Sequence, residues 1–598
     1  MKKIILPSFG PALTRRHFLA ASTAATALLS CDDPNSSHTQ DAGTDADLDS
    51  GPDADLDGAS DADADAGQPE PRPVTTVRET IRGRLQELAQ LEDLRPVFGL
   101  TRKMPGEPWV VRDEWQVAAV SSGAAPSLAG LAYFAQLTDV HILDEESPAR
   151  AIHSPIAAAS AWRPYDAYSL HLLDAAMGTL NGFAAVRPHD FVLFTGDVTD
   201  NHLFIELRWF LDIVEGNQVD PDTGADDNPM TSGDVEFAMR TPWEIRQANF
   251  QVDPHDPFTP VGLSPQVPWY LCLGNHDAWV LGSLGVSVVA SPTGGSATLF
   301  VSHAVTPTCF DEVPCPRGYC YAESPVRCHV PMDDGYYTSS SIPADPARRY
   351  IDLEEFKSMV MQSRVHGPSG HGFTMENLND RTHYFSVDEP VPGLPISMIV
   401  LDTTTAYGGT DKSVGAIDGA QLGWIEDRLA HYSLQNRAII VVSHHPADTV
   451  ADGGGALAAL LGAYPHVVLH VVGHGHINRI YPHPPAAGQS AWHGYWEVQT
   501  PSTLEWPQQM RFYEIVDHGD GTGAVYVTCV DLAIPEGSVA EAGRFYTLAD
   551  IQEGRAPAGL EGAVGDRNAV LRFAWPPELV PVLAAMPRRP VESLHFLP

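Results

Sequence analysis

Six short apolar runs, each followed by polar or glycine-rich residues, constrain the fold of this chain more than any other feature. Runs bounded in this way are typical of strands buried inside a sheet. They occupy residues 133–137, 191–194, 269–273, 398–401, 439–442 and 467–472. Between some of them the apolar residues have helical spacing, as in Leu422, Ile425 and Leu429. Strands that alternate with helices predict an α/β fold with a substantial sheet.

Five of these runs lead into residue types that bind metals. The five motifs are Asp139-Val140-His141, Gly196-Asp197, Gly274-Asn275-His276-Asp277, His444-His445-Pro446 and Gly473-His474-Gly475-His476. In α/β sheets, binding sites gather at the carboxyl ends of strands. Glycines allow the sharp turns that point short side chains inward. The sequence therefore predicts that the five motifs meet in one cluster.

The residue types in this cluster suit a pair of metal ions. Imidazoles favour ions such as Zn, Fe and Mn, whereas an asparagine oxygen favours a harder ion. A carboxylate can bridge two cations and offset part of their repulsion. Two ions held in this way lower the pKa of bound water, so that a bridging hydroxide becomes a nucleophile near neutral pH.

In this order the five motifs resemble the signature of the calcineurin-like metallophosphoesterases, over residues 133 to about 480. The resemblance implies a four-layer αββα sandwich with two metal ions (Mn, Fe or Zn) at one edge. It also implies hydrolysis of a phosphate monoester or diester by the bridging hydroxide. The alternative is a non-catalytic interaction protein of the cell envelope, with structural metals on the same fold. The ligands implied by the resemblance are Asp139, His141 and His476 for one ion, Asn275, His444 and His474 for the other, and Asp197 as the bridge.

Two further residues of the third motif are predicted to serve catalysis. The resemblance implies that His276 does not bind metal and faces the substrate. Asp277 is predicted either to orient His276 or to cap a helix. His445 is interpreted as a structural histidine in preference to a substrate contact. Asp200 stands where purple acid phosphatases have a tyrosine, which argues against an Fe(III)–tyrosinate centre.

The amino terminus is interpreted as an export signal that ends at a lipidated cysteine. Arg15-Arg16 precedes a short apolar stretch, as in twin-arginine signals, and Leu28-Leu29-Ser30-Cys31 resembles a lipobox. Residues 1–31 are therefore predicted to be the signal, and a lipid on Cys31 is predicted to hold the protein at a bacterial membrane. Residues 32–74 are Asp-rich and are predicted to be a disordered tether. The expected location is the periplasm or the cell surface.

The charge of the chain limits its partners. The formal net charge is −40, which repels polyanions and argues against nucleic acid. The expected substrate is a small-molecule or lipid-linked phosphate ester, which bound cations would attract locally. The sequence specifies no oligomeric state.

The rest of the chain is assigned to one main domain and its additions. The metallophosphoesterase domain is predicted at residues 75–510, with insertions at about 215–265 and 280–385, followed by a β-rich extension at 511–598. The extension either lengthens the sheets or forms an accessory unit. Cysteines 309, 315, 320 and 328 are predicted to form two disulfides in the second insertion. Cys272 and Cys529 are expected to be buried free thiols.

Overall fold

The computed structural model describes most of the chain after residue 72. The described ranges are 73–85, 99–117, 128–144, 163, 165–223, 253–283, 345–363, 365–409, 412–552 and 556–596, with the backbone alone at 328–331 and 337–340. Residues Pro73–Pro598 form one compact unit. The predicted signal, Cys31, the tether up to residue 72 and the four cysteine side chains of the second insertion lie outside these ranges.

One of two large sheets has seven strands, in the order β3-β17-β16-β15-β4-β5-β6. Strands β4, β5 and β6 are parallel, and β15 joins them by antiparallel pairing with β4. Every residue of β4 is buried, because both faces of this central strand are covered. The bounds are β3 Val110–Arg112, β4 Ala129–Leu137, β5 Phe191–Phe194, β6 Trp269–Leu271, β15 Gln509–Asp517, β16 Thr522–Asp531 and β17 Ala569–Ala574.

The other large sheet has six strands, in the order β13-β14-β12-β11-β10-β9. Its four inner strands are parallel, and the edge strands β13 and β9 are antiparallel to their neighbours. The bounds are β9 Phe385–Val387, β10 Ile396–Val400, β11 Ala438–Val442, β12 Val467–Val472, β13 Arg479–His483 and β14 Tyr495–Gln499. Two small antiparallel pairs complete the strands: β1 Glu79–Gly83 with β2 Thr101–Pro105, and β7 Cys328–Pro331 with β8 Tyr337–Ser340.

The helices begin and end where the sequence supplies caps. Helix α6 begins after Asp418, whose side chain accepts a hydrogen bond from the Gln421 N–H at 2.8 Å. Helix α2 ends at Gly216, whose φ of 77° favours glycine. The bounds are α1 Ser169–Ala184, α2 Phe204–Glu215, α3 Asn275–Ala278, α4 Leu353–Gln362, α5 Met375–Asp380, α6 Gly419–Leu434, α7 Gly454–Ala463, α8 Val539–Gln552 and α9 Val580–Ala584. Short 3-10 turns span Asp166–Tyr168, Ser369–Gly372, Lys412–Val414, Ala491–His493, Val564–Asp566 and Ser593–Phe596.

The layers follow from the alternation of side chains along each strand. In β10, Met398 packs into the same core cluster as Phe134 of the seven-stranded sheet, so the two sheets share a core. Its neighbour Ile399 points the other way and packs with α6 and α7. Helices α1 and α2 contribute to the shared cluster through residues such as Met177 and Phe210. The predicted four-layer α/β sandwich is thus confirmed.

The predicted carboxyl-terminal extension lengthens the seven-stranded sheet, because β15, β16 and β17 continue this sheet from β4. Part of the predicted second insertion also belongs to the core. From residue 345 onward it supplies α4 and the fully buried Phe356, Val360 and Phe373. This segment was predicted as insertion because its buried apolar residues, such as Phe356 and Val360, have helical spacing and form no strand-like run.

Two further observations concern the buried cysteines and the lengths of the helices. Cys272 and Cys529 are buried free thiols, as predicted. Within the described ranges, the helices are too short or too polar to cross a bilayer.

Candidate metal centre

The predicted ligands come together from both large sheets. Asp139 and His141 follow β4, Asp197 follows β5, and Asn275 begins α3 just after β6. The other predicted ligands come from the six-stranded sheet, where His444 follows β11 and both His474 and His476 follow β12. All these strands are parallel within their own sheets, so their carboxyl ends lie at one edge.

Backbone strain marks five of the seven predicted ligands. Their φ angles are positive: 51° at Asp139, 47° at His141, 52° at Asp197, 71° at His474 and 53° at His476. A residue other than glycine pays roughly 1–3 kcal/mol for such a conformation, and residues of this kind cluster at functional sites. The sharp turns aim these side chains back at the edge where the strands end.

The first group of ligand atoms surrounds Asp139. Its Oδ1 lies 3.1 Å from Nε2 of His476, and that nitrogen lies 3.2 Å from Nε2 of His141. Two imidazole nitrogens so close cannot both carry a proton that points at the other. Oδ2 of Asp139 is already engaged, because it accepts hydrogen bonds from the Thr138 hydroxyl and the His474 N–H.

The second group adjoins the first through Asp197. Oδ2 of Asp197 lies 3.2 Å from Nε2 of His444 and 3.9 Å from Nε2 of His141, so it faces both groups. Its Oδ1 accepts a hydrogen bond from the backbone of His276. Nδ1 of His474 lies 3.2 Å from Oδ1 of Asn275. Asp197 therefore lies between the two groups, where the predicted bridging carboxylate would have to be.

Two buried atoms at the centre form no hydrogen bond of regular geometry, although each lies within 3.2 Å of another predicted ligand. They are Oδ1 of Asp139 and Nε2 of His444, and they lie 3.9 Å apart. An unsatisfied buried carboxylate oxygen costs several kcal/mol unless something else binds it. The donor set of imidazoles, carboxylates and one amide oxygen fits a pair of metal cations at this point.

Hydrogen bonds on the far side of each ring fix which nitrogen faces the centre. Nδ1 of His141 is 2.9 Å from Asp200, and Nδ1 of His476 is 3.0 Å from Glu505. Nδ1 of His444 donates to the Thr195 carbonyl at 2.8 Å. Each of these rings therefore presents Nε2 inward.

Burial and neighbouring charges shift the pKa values of the residues at the centre in opposite directions. Burial alone would raise the pKa of Asp139, but His476 and His444 lower it to about 2. Burial alone would lower the pKa of the two histidines, but Asp197 raises it to about 9 for His444, and Glu505 and Asp139 raise it to about 10 for His476. Burial lowers the pKa of His141 to about 4. A surplus of buried negative charge thus attracts protons where metal is absent.

Comparison with known proteins agrees with this geometry. A family model described as calcineurin-like phosphoesterase matches residues 132–478, more than half of the chain. The chain belongs to the calcineurin-like phosphoesterase family. Among solved structures it is similar to a dimetal phosphatase from Danio rerio, with 11% identity, a TM-score of 0.32, and coverage of 68% of this chain and 100% of that one. A search of curated proteins found no match.

In this calcineurin-like phosphoesterase, Asn275 is held by its amide nitrogen. Nδ2 donates to the carbonyl of Gly282 at 3.0 Å, which leaves Oδ1 directed at His474. Gly282 has a φ of 62°, and a Cβ there would overlap the His276 ring and the Asn275 amide. Only glycine allows the 279–283 turn to close over this motif.

His276 lies beside the centre with one ring nitrogen engaged. Its Nδ1 lies 2.8 Å from the carbonyl of Asp200 and 3.3 Å from the Asp200 carboxylate. Its Nε2 makes no hydrogen bond to any described residue. Burial alone would lower the pKa of His276, but Asp197 and Asp200 raise it above the usual value. The two carboxylates therefore favour the protonated form of the ring.

The structure corrects the hypothesis that Asp277 orients His276. The Asp277 carboxylate accepts hydrogen bonds from the backbone N–H groups of Asp197, Val198, Thr199 and Gly274. It therefore holds the turn that carries Asp197, and it satisfies the start of α3 from inside the helix. Asp200 performs the task assigned to Asp277, because the short α3 turns the two neighbouring side chains in different directions.

His445 is buried and internally satisfied, as its structural interpretation requires. Its Nδ1 lies 2.7 Å from the Thr403 hydroxyl and its Nε2 lies 3.1 Å from the Ser413 carbonyl. Burial, followed by the neighbouring His474 and His444, lowers its pKa well below the usual value.

Two residues of the site were missed by sequence reasoning. Asp200 was considered only for the tyrosine that it replaces, although Asp197-Val198-Thr199-Asp200 offered a second carboxylate on the same turn. Glu505 lies beyond residue 478, in the segment between β14 and β15, and carries no motif. Only the fold brings it to His476.

Proposed function

We propose that this chain hydrolyses a phosphate ester with the help of two metal ions bound at the candidate centre. The observation that carries the proposal is the pair of unsatisfied buried atoms, Asp139 Oδ1 and His444 Nε2, facing each other across the centre. Metal cations satisfy both without a proton. We infer Mn, Fe or Zn from the donor types.

Bound metal ions would supply a nucleophile derived from water near neutral pH and would stabilise charge on the phosphoryl oxygens. The chain's own residues do the rest. Asp200, Glu505 and the Thr195 carbonyl orient the histidines. His276 is placed to hold a proton at Nε2 for the departing oxygen of the ester.

The first test is metal content followed by turnover. Purified protein should hold about two metal equivalents, and it should hydrolyse members of a panel of phosphate monoesters and diesters. Chelation should abolish hydrolysis and added Mn, Fe or Zn should restore it. Asp197→Ala should lose both metal and activity, whereas Asp220→Ala, at an exposed aspartate that is not among the predicted ligands, should change neither.

The same measurement separates the proposal from its alternative. Two bound metals with no turnover of any ester would favour a non-catalytic interaction protein. Absence of metal from the wild-type protein would overturn both.

We also propose that the enzyme acts outside the inner membrane, anchored by a lipid on Cys31 and reaching small-molecule or lipid-linked phosphate esters. The support is the order of Arg15-Arg16, the apolar stretch and Cys31 in the sequence. Cys31→Ser should move the protein from the membrane fraction to the soluble fraction. Replacing both Arg15 and Arg16 with Lys should block export. Unchanged membrane association of the Cys31 variant would contradict the lipid anchor.

A further inference from the structure

A buried arginine connects the two carboxylates that orient the histidines around Asp139. Arg163 is fully buried. Its Nε donates to Oε1 of Glu505 at 2.7 Å, and its Nη1 approaches Oδ1 of Asp200 at 3.4 Å. One planar guanidinium thus contacts two acidic groups that come from separate parts of the chain.

Each of these two carboxylates contacts and orients one predicted ligand. Asp200 contacts Nδ1 of His141 at 2.9 Å, and Glu505 contacts Nδ1 of His476 at 3.0 Å. The opposite nitrogens of these two rings are the pair that lies 3.2 Å apart. The distance between them therefore depends on where Arg163 holds the two carboxylates.

The arginine also balances charge. Asp200 and Glu505 are buried together with Asp166, whose carboxylate accepts a hydrogen bond from the backbone N–H of Arg163 at 2.8 Å. Without Arg163, these carboxylates would be buried beside the aspartates of the centre with less positive charge to offset them.

The second group of ligands does not use this arginine. His444 is oriented by the Thr195 carbonyl, and Asn275 by the Gly282 carbonyl. The support for the two halves of the centre is therefore unequal, and a change at Arg163 should affect one half more than the other.

We propose that Arg163 is a positioning residue that sets the metal affinity of the Asp139–His141–His476 half of the centre by holding Asp200 and Glu505. The proposal rests on the proposed function, in that these three residues must bind a metal. Arg163 lies between the first and second motifs, and its partner Glu505 lies after the last one.

The test compares metal binding by Arg163→Met, Arg163→Lys and wild type in chelator-buffered titrations. Loss of a group that orients a ligand typically weakens metal binding 10–100-fold. Arg163→Met should weaken one of two binding steps by about that factor and leave the other within about threefold. Arg163→Lys keeps the positive charge but not the planar guanidinium that contacts both carboxylates. It should therefore lose less metal affinity than Arg163→Met.

Arg437→Met is the matched control. Arg437 also makes several hydrogen bonds, to Ser397 and to the carbonyls of Asp388 and Ile396, but at the opposite end of β10. Its loss should lower thermal stability without changing either binding step. An equal effect of both variants on metal affinity would show that Arg163 acts only through general stability.

Glu505→Gln tests whether Arg163 acts through Glu505. It also replaces Arg163→Met as the test variant if Arg163→Met fails to fold. Glutamine keeps an acceptor for Arg163 but removes the charge, so it should weaken the same step. If Arg163 acts through Glu505, the double variant should lose less affinity than the product of the two single losses. Multiplicative losses would overturn this route.

The outcomes separate the two proposals. Wild-type protein without metal would defeat the proposed function. Two metals in wild type and unchanged affinity in Arg163→Met, or in Glu505→Gln where the former does not fold, would defeat only the role of Arg163.

Discussion

At the scale of single residues, His276 offers a test that separates catalysis from metal binding alone. The ring is fixed at Nδ1 by Asp200, and Nε2 makes no hydrogen bond to a described residue. Burial alone would lower the pKa of His276, but Asp197 and Asp200 raise it above its usual value, which favours the protonated ring. A proton held there can pass to a leaving oxygen, which is typically worth about 10²–10⁴-fold in rate.

His276→Ala should therefore keep both metals and lose kcat by about 10²–10⁴-fold for an ester with an alkoxide leaving group. The loss should be much smaller for a nitrophenyl ester, whose leaving group departs without a proton. Steady-state kinetics on matched esters and metal analysis check this. Equal losses on both esters would indicate positioning instead, and loss of metal would make His276 a ligand.

Gly282 is the residue on which the third motif depends. Alanine there would meet the His276 ring and the Asn275 amide, at a φ of 62° that already disfavours a side chain. Gly282→Ala should weaken metal binding and lower kcat, because both neighbours must move. Gly393→Ala is the control, since Gly393 has a φ of 77° but open space around its Cβ position. It should cost about 1 kcal/mol of unfolding free energy and leave metal affinity intact.

At the scale of elements, the loop after β11 is held by its neighbours in the sheet. Glu497 of β14 contacts Nδ1 of His470 in β12 at 2.9 Å and accepts the Ala447 N–H at 3.2 Å. Nε2 of His470 lies 2.8 Å from the Ser443 hydroxyl, next to His444. This Ser–His–Glu chain is fully buried and lies beneath a predicted ligand, so its role is to fix the loop.

Glu497→Gln should loosen that loop. Glutamine cannot replace both carboxylate contacts, and the lost charge-assisted bonds are worth roughly 1–3 kcal/mol of unfolding free energy. Because His470 lowers the pKa of Glu497 to about 2 against the effect of burial, the difference from wild type should be present at neutral pH and vanish only as pH falls toward 2. Denaturant unfolding at several pH values measures it.

The control for this element is Glu389→Gln. Glu389 is half exposed and contacts Arg437 at the other end of the six-stranded sheet. A surface pair of this kind is worth at most about 1 kcal/mol. Equal destabilisation by the two variants would contradict the idea that Glu497 holds the loop.

The same elements show what the sequence could predict. Apolar runs located β5 and β12 to the residue, because local hydrophobicity specifies a buried strand. The seven predicted ligands follow the ends of five such strands, as the sequence predicted. The residues that support the predicted ligands could not be predicted from the sequence. Nothing in the sequence distinguishes Glu497 from other residues of its strand, and no sequence motif connects Glu505 with Arg163. Their meeting depends on how the two sheets pack, which no local pattern encodes.

At the scale of the whole molecule, protonation of the centre links folding to metal binding. In the metal-free protein Asp197, Asp139 and Glu505 raise the pKa of His444 to about 9 and that of His476 to about 10, against the effect of burial. Both exceed the 6.5 of an unfolded histidine. The stabilisation is therefore fully present below pH 6.5 and is lost as pH rises through 9 and 10.

Metal binding has the opposite dependence on pH. A histidine must be neutral to bind a metal, so binding at pH 7.5 must displace the protons held by His444 and His476. Each proton changes the free energy of binding by up to about 1.4 kcal/mol per pH unit. The apparent affinity should rise steeply between pH 6.5 and about 9, where the metal-free protein loses stability.

The thermal stabilities of the two forms should therefore diverge with pH. Between pH 6.5 and 8.5, the Tm of the metal-free protein should fall while the stabilisation by a fixed free Mn²⁺ concentration grows. Addition of metal in weak buffer at pH 7.5 should release about two protons per chain. His476→Asn, which removes one of the two protonated ligands, should release about one fewer. Proton release near zero in the wild type, with metal bound, would mean that His444 and His476 are already neutral and that the negative charge of the centre does not hold protons in place of metal.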